Sequence, residues 1–211
     1  MSVQSKLQLS RKQLAVMCHE DPEAIRQMER LFVVGEHFEG TRYVDIDHPI
    51  IIRTVGPGQP TLQVLNGNIT MPQWQVGDFH VCESQEFIHN WVEGSEVSWH
   101  IHLTTNGVDG TDRYVAFALE YGYVNAGGAW TFPALLTSPD MLIPAGTPDR
   151  TMFVFSIGTF TPSALLVAAH SVARLSRVAA VGAAPTLNPF VAMLQQHVLV
   201  NTVGSRTISA S

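Results

Sequence analysis

The chain has 211 residues, of which 45% are hydrophobic and only 14% are charged, and its formal net charge is −6. An average soluble domain has about 25% charged residues, so this chain can build a large core but has little charge to cover it. Nucleic-acid binding needs clustered Lys and Arg. The sequence has no such cluster, which excludes nucleic acid as the main partner.

The shortage of charge is concentrated in the second half of the chain. Residues 121–211 contain 2 acidic and 4 basic residues, whereas residues 1–120 contain 16 acidic and 8 basic residues. Large exposed apolar patches are usually interfaces. We therefore expect the second half to be covered by other subunits, in a homo-oligomer or a larger assembly.

Cysteine usage and hydropathy indicate a cytosolic setting and no membrane insertion. The segment MSVQSKLQLSRK lacks the apolar stretch of a signal peptide, and Cys18 and Cys82 are expected to be reduced thiols. Residues 151–169 contain no charge, but Gly158 and several threonines and serines interrupt the run. We predict no transmembrane segment and no membrane partner.

The clearest helix pattern is DPEAIRQMERLF. Asp21 suits the N-cap and Pro22 the first helical position. Apolar side chains then recur on one face, at Ile25, Met28, Leu31 and Phe32. We predict a short amphipathic helix over about residues 22–33, within an N-terminal arm of residues 1–40.

From residue 41 onward, short β-rich runs alternate with turn residues. The predicted strands or strand pairs lie within residues 43–55, 61–71, 78–88, 97–105, 112–124, 151–160 and 190–200. Between them lie turn sequences such as GPGQP, NAGG and PAGTPD. Many short strands at this spacing predict an all-β fold over residues 41–211, a sandwich or barrel with Greek-key links.

Residues 163–184 fit two structures. As a helix they place His170, Arg174 and Arg177 on one face, and their alanines favour a helix. As a strand they place Arg174 and Arg177 on opposite faces. We favour the strand because the neighbouring segments are all β, and the helix stays open as the alternative.

Two histidines one residue apart, His100 and His102, are the sharpest chemical feature. Together with Gly94 they match the opening of the first cupin motif, in which two histidines on one strand face bind a metal. The cupin pattern also requires a glutamate four or five residues later. This chain has Asn106 and Gly107 at those positions.

The second cupin motif would place a histidine shortly after a Pro-Gly turn. The nearest match is PAG at 144–146, and Asp149 occupies the position of that histidine. Because two of the four ligands are missing, we expect no metal site. On this interpretation Trp99, Ile101 and Leu103 point into the core, and the two histidines face water or a subunit contact.

Other signs of chemistry are weak. The sequence has no P-loop, G-x-G-x-x-G, H-E-x-x-H, C-x-x-C or G-x-S-x-G motif. Acid-base catalysis is only weakly indicated, by two carboxylate pairs: Asp45 with Asp47 and Glu93 with Glu96. Four tryptophans offer stacking faces for sugars: Trp74, Trp91, Trp99 and Trp130. Such residues are usually structural in β-sandwiches, so we predict no catalytic residue, no cofactor and no enzymatic activity.

Four successive segments carry a family resemblance: FIHNWVEGSEVSWHIHLTTNG, RYVAFALEYGYVNAGGAWTFP, SVARLSRV and QQHVLVNTVGSR. They combine a W-x-E-G-S turn before a strand with alternating histidines, a strand ending in an E-Y pair, an R-x-x-R strand and a closing H…G-S-R. In this order they resemble virion proteins of tailed bacteriophages, over roughly residues 80–206. The matching residues are Trp91, Glu93, Gly94, Ser95, His100, His102, Glu120, Tyr121, Arg174, Arg177, His197, Gly204, Ser205 and Arg206.

The resemblance implies a jelly-roll capsid decoration or cement protein. Such a protein is made in the host bacterial cytoplasm and binds the major capsid protein on the outer surface of the virion. It acts as a homo-oligomer, either a trimer or a dimer. Together with the strand pattern, the resemblance leads us to expect a single β-sandwich of jelly-roll type over residues 41–211. Two alternatives stay open: another phage β-sandwich component, such as a head fibre or tail adaptor, and a cupin-like metal-dependent enzyme.

Overall fold

The structure is a computed structural model, which describes residues 42–52, 56–162, 165–166 and 168–201. The predicted arm of residues 1–40, including its helix at 22–33, lies outside the described residues. Within them, no helix has the length and apolarity needed to cross a membrane.

Eleven strands make up the described part of the chain. They are β1 (Arg42–Pro49), β2 (Thr61–Asn66), β3 (Ile69–Gln73), β4 (Phe79–Glu86), β5 (Val97–Thr104), β6 (Arg113–Val124), β7 (Leu136–Thr137), β8 (Met141–Ile143), β9 (Met152–Phe160), β10 (His170–Val178) and β11 (Phe190–Val200). Each predicted strand segment overlaps one or two of them. The short strands β7 and β8 lie outside the segments predicted from the sequence.

The strands form two antiparallel sheets. In the first sheet, β11 pairs with β1 and β3 along one edge and with β5 along the other; β2 extends the sheet beyond β3, and β9 extends it beyond β5. In the second sheet, β10 lies between β4 and β6, and the other edge of β6 pairs with β7 and β8.

The order of pairing is that of a jelly roll. Eight strands remain if the β2–β3 hairpin is set aside and β7 and β8, which share one edge of β6, are counted as one. The first then pairs with the eighth (β1 with β11), the second with the seventh (β4 with β10) and the third with the sixth (β5 with β9). The fourth pairs with the fifth (β6 with β7 and β8). These nested pairs confirm the predicted jelly-roll sandwich.

The core between the two sheets follows the two-residue period of the strands. In β5, Val97, Trp99, Ile101 and Leu103 are fully buried, while the residues between them are partly exposed. Trp99, Ile101 and Leu103 share one core cluster with side chains from β6, β10 and β11. The alternation therefore sets which face of β5 meets the core and which faces outward.

The segment 163–184, for which two structures were open, contains the strand β10. This strand pairs with β4 along one edge and with β6 along the other, so its backbone polar groups are satisfied inside the sheet. Those pairings outweigh the helix propensity of the alanines. As a strand predicts, Arg177 is buried and Arg174 lies on the outward face.

One histidine, His48, points into the core from β1. It is fully buried, and its ring centroid lies 5.1 Å from that of Trp99. Burial lowers the pKa of His48 below its ordinary value, and smaller effects of Gln196, the Glu83 backbone and Asp47 oppose that shift. The native protein therefore holds this imidazole neutral under conditions in which an unfolded chain protonates it.

We expect the free energy of unfolding to decrease as the pH falls from 7 to 5. An unfolded histidine binds a proton near pH 6.5, so the stability that neutral His48 contributes is complete above that pH and is lost below it. Replacing His48 with leucine should make the pH dependence weaker. Denaturant unfolding of both proteins at the two pH values measures the effect. Identical pH dependence in wild type and His48→Leu would contradict the assignment.

Candidate functional site

The strand with the two histidines presents them outward. His100 and His102 lie on the face of β5 that points away from the core, while Trp99, Ile101 and Leu103 point into it. This confirms the predicted alternation. Beside β5 the sheet continues through β11 and β1, and these two strands add their own polar side chains to the same face.

Three residues from three strands meet on this outward face: Asp45 of β1, His100 of β5 and His197 of β11. We call them the His-Asp cluster. Nδ1 of His197 lies 2.8 Å from Oδ1 of Asp45, and Nε2 of His100 lies 3.8 Å from the same oxygen. One ligand atom from each residue lies within 4.8 Å of the other two. The cluster therefore has the donor types and spacing of a metal site.

Neighbouring side chains hold the cluster in place. Gln195 connects His100 to Asp47: its Oε1 lies 2.9 Å from Nε2 of His100, and its Nε2 donates to Oδ1 of Asp47 at 2.6 Å. Since that amide nitrogen donates to a carboxylate, its oxygen accepts from His100, which places a proton on Nε2 of His100. The ring of Tyr43 stacks on that of His197 at a centroid distance of 4.7 Å.

The electrostatics of the cluster favour a neutral His100. Partial burial lowers its pKa below the ordinary value, and the neighbouring His102 and His197 act in the same direction. The hydrogen bond to Gln195 and the charge of Asp45 oppose the shift. A neutral imidazole is the form that binds metal ions.

The cupin pattern does not describe this site. His102 stands outside the cluster, and its Nε2 is buried without a hydrogen-bond partner among the described residues. Asn106 accepts a hydrogen bond from Arg150 at 2.6 Å, and Asp149 accepts one from the backbone of Gly107. The two positions where cupins have ligands therefore make structural hydrogen bonds here.

The cluster was missed at the sequence level because its members are far apart in the chain. Asp45 and His197 are separated by 152 positions, and the pairing of β1 with β11 brings them opposite each other. A sequence signal exists only in part. His197 belongs to the closing H…G-S-R pattern and Asp45 to a carboxylate pair, but neither pattern indicates that the two meet.

The remaining candidates have structural placements. Asp47 binds Gln195 as described above, while Glu93 and Glu96 are exposed on the turn before β5. Of the four tryptophans, three are buried, namely Trp74, Trp91 and Trp99. Trp130 alone among the four is exposed, at 43%. The tryptophans therefore do not assemble into a common stacking face for sugars.

Most residues of the family resemblance that the structure describes support the framework. Arg174 lies directly opposite Glu120 in the register of β10 and β6, and Nη1 of Arg174 is 2.6 Å from Oε2 of Glu120. The ring of Tyr121 packs in the core, 6.0 Å from that of Trp99. Gly204, Ser205 and Arg206 lie outside the described residues.

An exposed apolar surface lies on the connection between β6 and β7. Residues 125–135 form what we call the aromatic loop. Its rings are Trp130 and Phe132, stacked at a centroid distance of 6.1 Å, and Phe132 is 68% exposed. Paired hydrogen bonds between the backbones of Tyr123 and Thr131, at 2.8 and 2.9 Å, attach the loop to β6.

The aromatic loop borders a groove of about 410 Å³ on the outer side of the second sheet. Phe132, Pro133 and Leu135 form one wall, and the ion pair of Glu120 with Arg174 stands at the other. Protein interfaces are enriched in aromatic residues and have a polar rim. This groove is therefore a candidate docking surface.

The fold and these surfaces define an all-β jelly-roll protein with a His-Asp cluster on one sheet and an aromatic loop on the other. No family model matches the chain, and no curated protein matches it. The solved structures to which the chain is similar include two of infectious bursal disease virus. A chain in the structure of infectious bursal disease virus, Gx strain, has 12% sequence identity and a TM-score of 0.36, over 76% of this chain and 32% of that one.

The second similar structure is that of infectious bursal disease virus, Gt strain. Its chain has 10% sequence identity and a TM-score of 0.34, over 77% of this chain and 33% of that one. The protein therefore spans about a third of the length of the two viral chains.

Proposed function

We propose that the protein is a structural component of a virion, and that it decorates and stabilises the outside of a tailed-bacteriophage capsid. The observation that carries this proposal is the exposed aromatic loop, attached to β6 by backbone hydrogen bonds, beside its groove. Phe132 is 68% exposed although it is a large aromatic side chain. Aromatic residues fixed in this way are typical anchors of protein interfaces.

Two further observations support the proposal. The aromatic loop lies in the second half of the chain, which has only 2 acidic and 4 basic residues over 121–211. The resemblance to phage virion proteins rests on residues such as Glu120 and Arg174, which form the ion pair beside the groove. A surface that is poor in charge and rich in fixed apolar groups gains free energy when a partner covers it.

The proposed partners are the major capsid protein and further copies of this chain, arranged as a trimer or a dimer. A protein that binds the assembled shell more tightly than its free subunits stabilises the shell by mass action. Each of the many equivalent positions on the lattice repeats that gain. The mechanism requires shape and apolar contact, and it assigns no reaction to any residue.

Phe132→Ser is expected to reduce binding to purified heads of the phage that encodes the protein by at least about tenfold, since interface anchors contribute about 2 kcal/mol or more. Co-sedimentation of the protein with heads, over a range of protein concentrations, measures the effect. Circular dichroism should show an unchanged fold, because Phe132 is mostly exposed.

The matched control for that experiment is Val181→Ser. Val181 is fully exposed at 100% and lies on the connection that follows β10, so this variant also exchanges an apolar surface side chain for serine. It should bind heads like the wild type. Wild-type binding by Phe132→Ser would overturn the proposed docking surface, and a wild-type protein that binds no heads would overturn the proposed function.

A further inference from the structure

We propose that the His-Asp cluster binds one divalent transition-metal ion, with Zn²⁺ as the best match. The ligands would be Nδ1 of His197, Nε2 of His100 and Oδ1 of Asp45. This inference does not depend on the proposed virion role. It concerns the outward face of the β1–β11–β5 sheet, whereas the docking groove lies on the other sheet.

The donor set indicates the class of ion. Two imidazole nitrogens and one carboxylate oxygen suit Zn²⁺ and its neighbours in the first transition row, whereas Ca²⁺ and Mg²⁺ prefer oxygen ligands alone. The ion-pair partners of Asp45 among the described residues are the two histidines. In that part of the chain no lysine or arginine pairs with Asp45, so its carboxylate is available to an arriving cation.

The spacing of the ligand atoms is close to what Zn²⁺ requires. Bonds of about 2.0–2.1 Å in tetrahedral geometry place the ligand atoms about 3.3 Å apart. The observed separations from Oδ1 of Asp45 are 2.8 Å to His197 and 3.8 Å to His100, one below and one above that value. The third separation, between the two histidine nitrogens, is within 4.8 Å, so we expect side-chain rotations to bring the three atoms to the required distance.

The sheet pre-organises the ligands. Asp45 and His197 are direct partners in the register of β1 and β11, and Gln195, two residues before His197, is the register partner of His100. His100 thus occupies the diagonal position next to His197, which is within reach across a sheet. The stacked ring of Tyr43 restricts the rotation of the His197 imidazole.

The ion would take the place of a proton at each of the two ligand nitrogens. Nε2 of His100 donates to Gln195, and Nδ1 of His197 lies at hydrogen-bond distance from Asp45. Metal binding exchanges both hydrogen bonds for metal–ligand bonds, and each neutral imidazole then carries its proton on the other ring nitrogen. His100 is 12% exposed, while Asp45 and His197 are 39% and 40% exposed, so the site is open to a hydrated ion.

The consequence would be mechanical. Asp45 lies on β1, His197 on β11 and His100 on β5, so the ion would connect three strands of one sheet. A tetrahedral ion with three protein ligands keeps one position for water. Because the ion binds the folded sheet and not the unfolded chain, it would raise the stability of the sandwich.

Isothermal titration of the chelator-treated full chain with ZnCl₂ near neutral pH tests the proposal. We expect one equivalent to bind and the melting temperature to rise with added Zn²⁺. His197→Ala and Asp45→Asn should each weaken binding by at least about tenfold and remove the thermal shift. Co²⁺ in the same site should show the strong visible absorption of a tetrahedral ion.

His89→Ala is the matched control, because His89 also pairs with a carboxylate, Glu86, at 3.3 Å but belongs to no such cluster among the described residues. This variant should bind Zn²⁺ like the wild type. The absence of saturable binding to the wild type would overturn the proposal. An equivalent that persists in both His197→Ala and Asp45→Asn would overturn it as well, since the ion would then be held elsewhere in the chain.

Discussion

Trp99→Ala is expected to lower the free energy of unfolding by about 3–5 kcal/mol, the range for a large aromatic removed from a core. Trp99 is fully buried between the two sheets. Its ring contacts those of His48 and Tyr121, at centroid distances of 5.1 and 6.0 Å. Alanine would leave a cavity at the point where β1, β5 and β6 meet. Denaturant unfolding followed by far-UV circular dichroism measures the loss of stability.

Trp130→Ala provides the comparison, because it removes the same side chain from the surface. Trp130 is 43% exposed and stacks only on Phe132 in the aromatic loop. Its removal should cost less than about 1 kcal/mol. Equal losses for the two variants would mean that Trp99 is not a central core residue, and the described packing of β5 would be wrong.

Arg177→Met is expected to lower the free energy of unfolding by about 3 kcal/mol, since it leaves buried polar groups without their charged partner. Nη1 of Arg177 donates to the backbone oxygen of Trp74 and, at 2.8 Å, to Oδ1 of Asn188. The guanidinium thereby links the segments that contain Trp74 and Asn188 to β10. Burial lowers its pKa to about 10, so it remains charged at neutral pH.

Arg174→Met is the matched control three residues earlier in the same strand. The side chain of Arg174 is 41% exposed, and its partner Glu120 is 57% exposed. Exposed ion pairs contribute less than about 1 kcal/mol, so this variant should be nearly as stable as the wild type. If both arginines proved equally important, the assignment of opposite faces to the R-x-x-R residues would fail. Melting temperatures of the two variants under identical conditions decide the matter.

The two stability experiments also bear on how the family resemblance is interpreted. Trp91, Tyr121 and Arg177 belong to the resemblance, and all three are buried. Their positions therefore reflect what the fold needs. The surface on which the proposed function depends includes Phe132, whose effect on head binding is expected to be separate from any effect on folding.

The sequence alone determined the local features of the protein. Alternation of apolar and polar residues in VSWHIHLT predicts that Trp99 and Ile101 face inward and that His100 and His102 face outward, and the structure confirms it. Turn residues delimit the strands because Gly, Pro and Asn adopt conformations that strands avoid. The number and spacing of those strands predict a sandwich or barrel, and the family resemblance narrows this to a jelly roll.

Only the tertiary structure decided which distant strands are neighbours. The strand β10 forms because β4 and β6 satisfy its backbone on both edges, although its alanines favour a helix. The His-Asp cluster exists because β11 pairs with β1 and β5, which brings Asp45 beside a histidine 152 positions away. Local propensity acts over a few residues, whereas the register between distant strands depends on the packing of the whole sandwich.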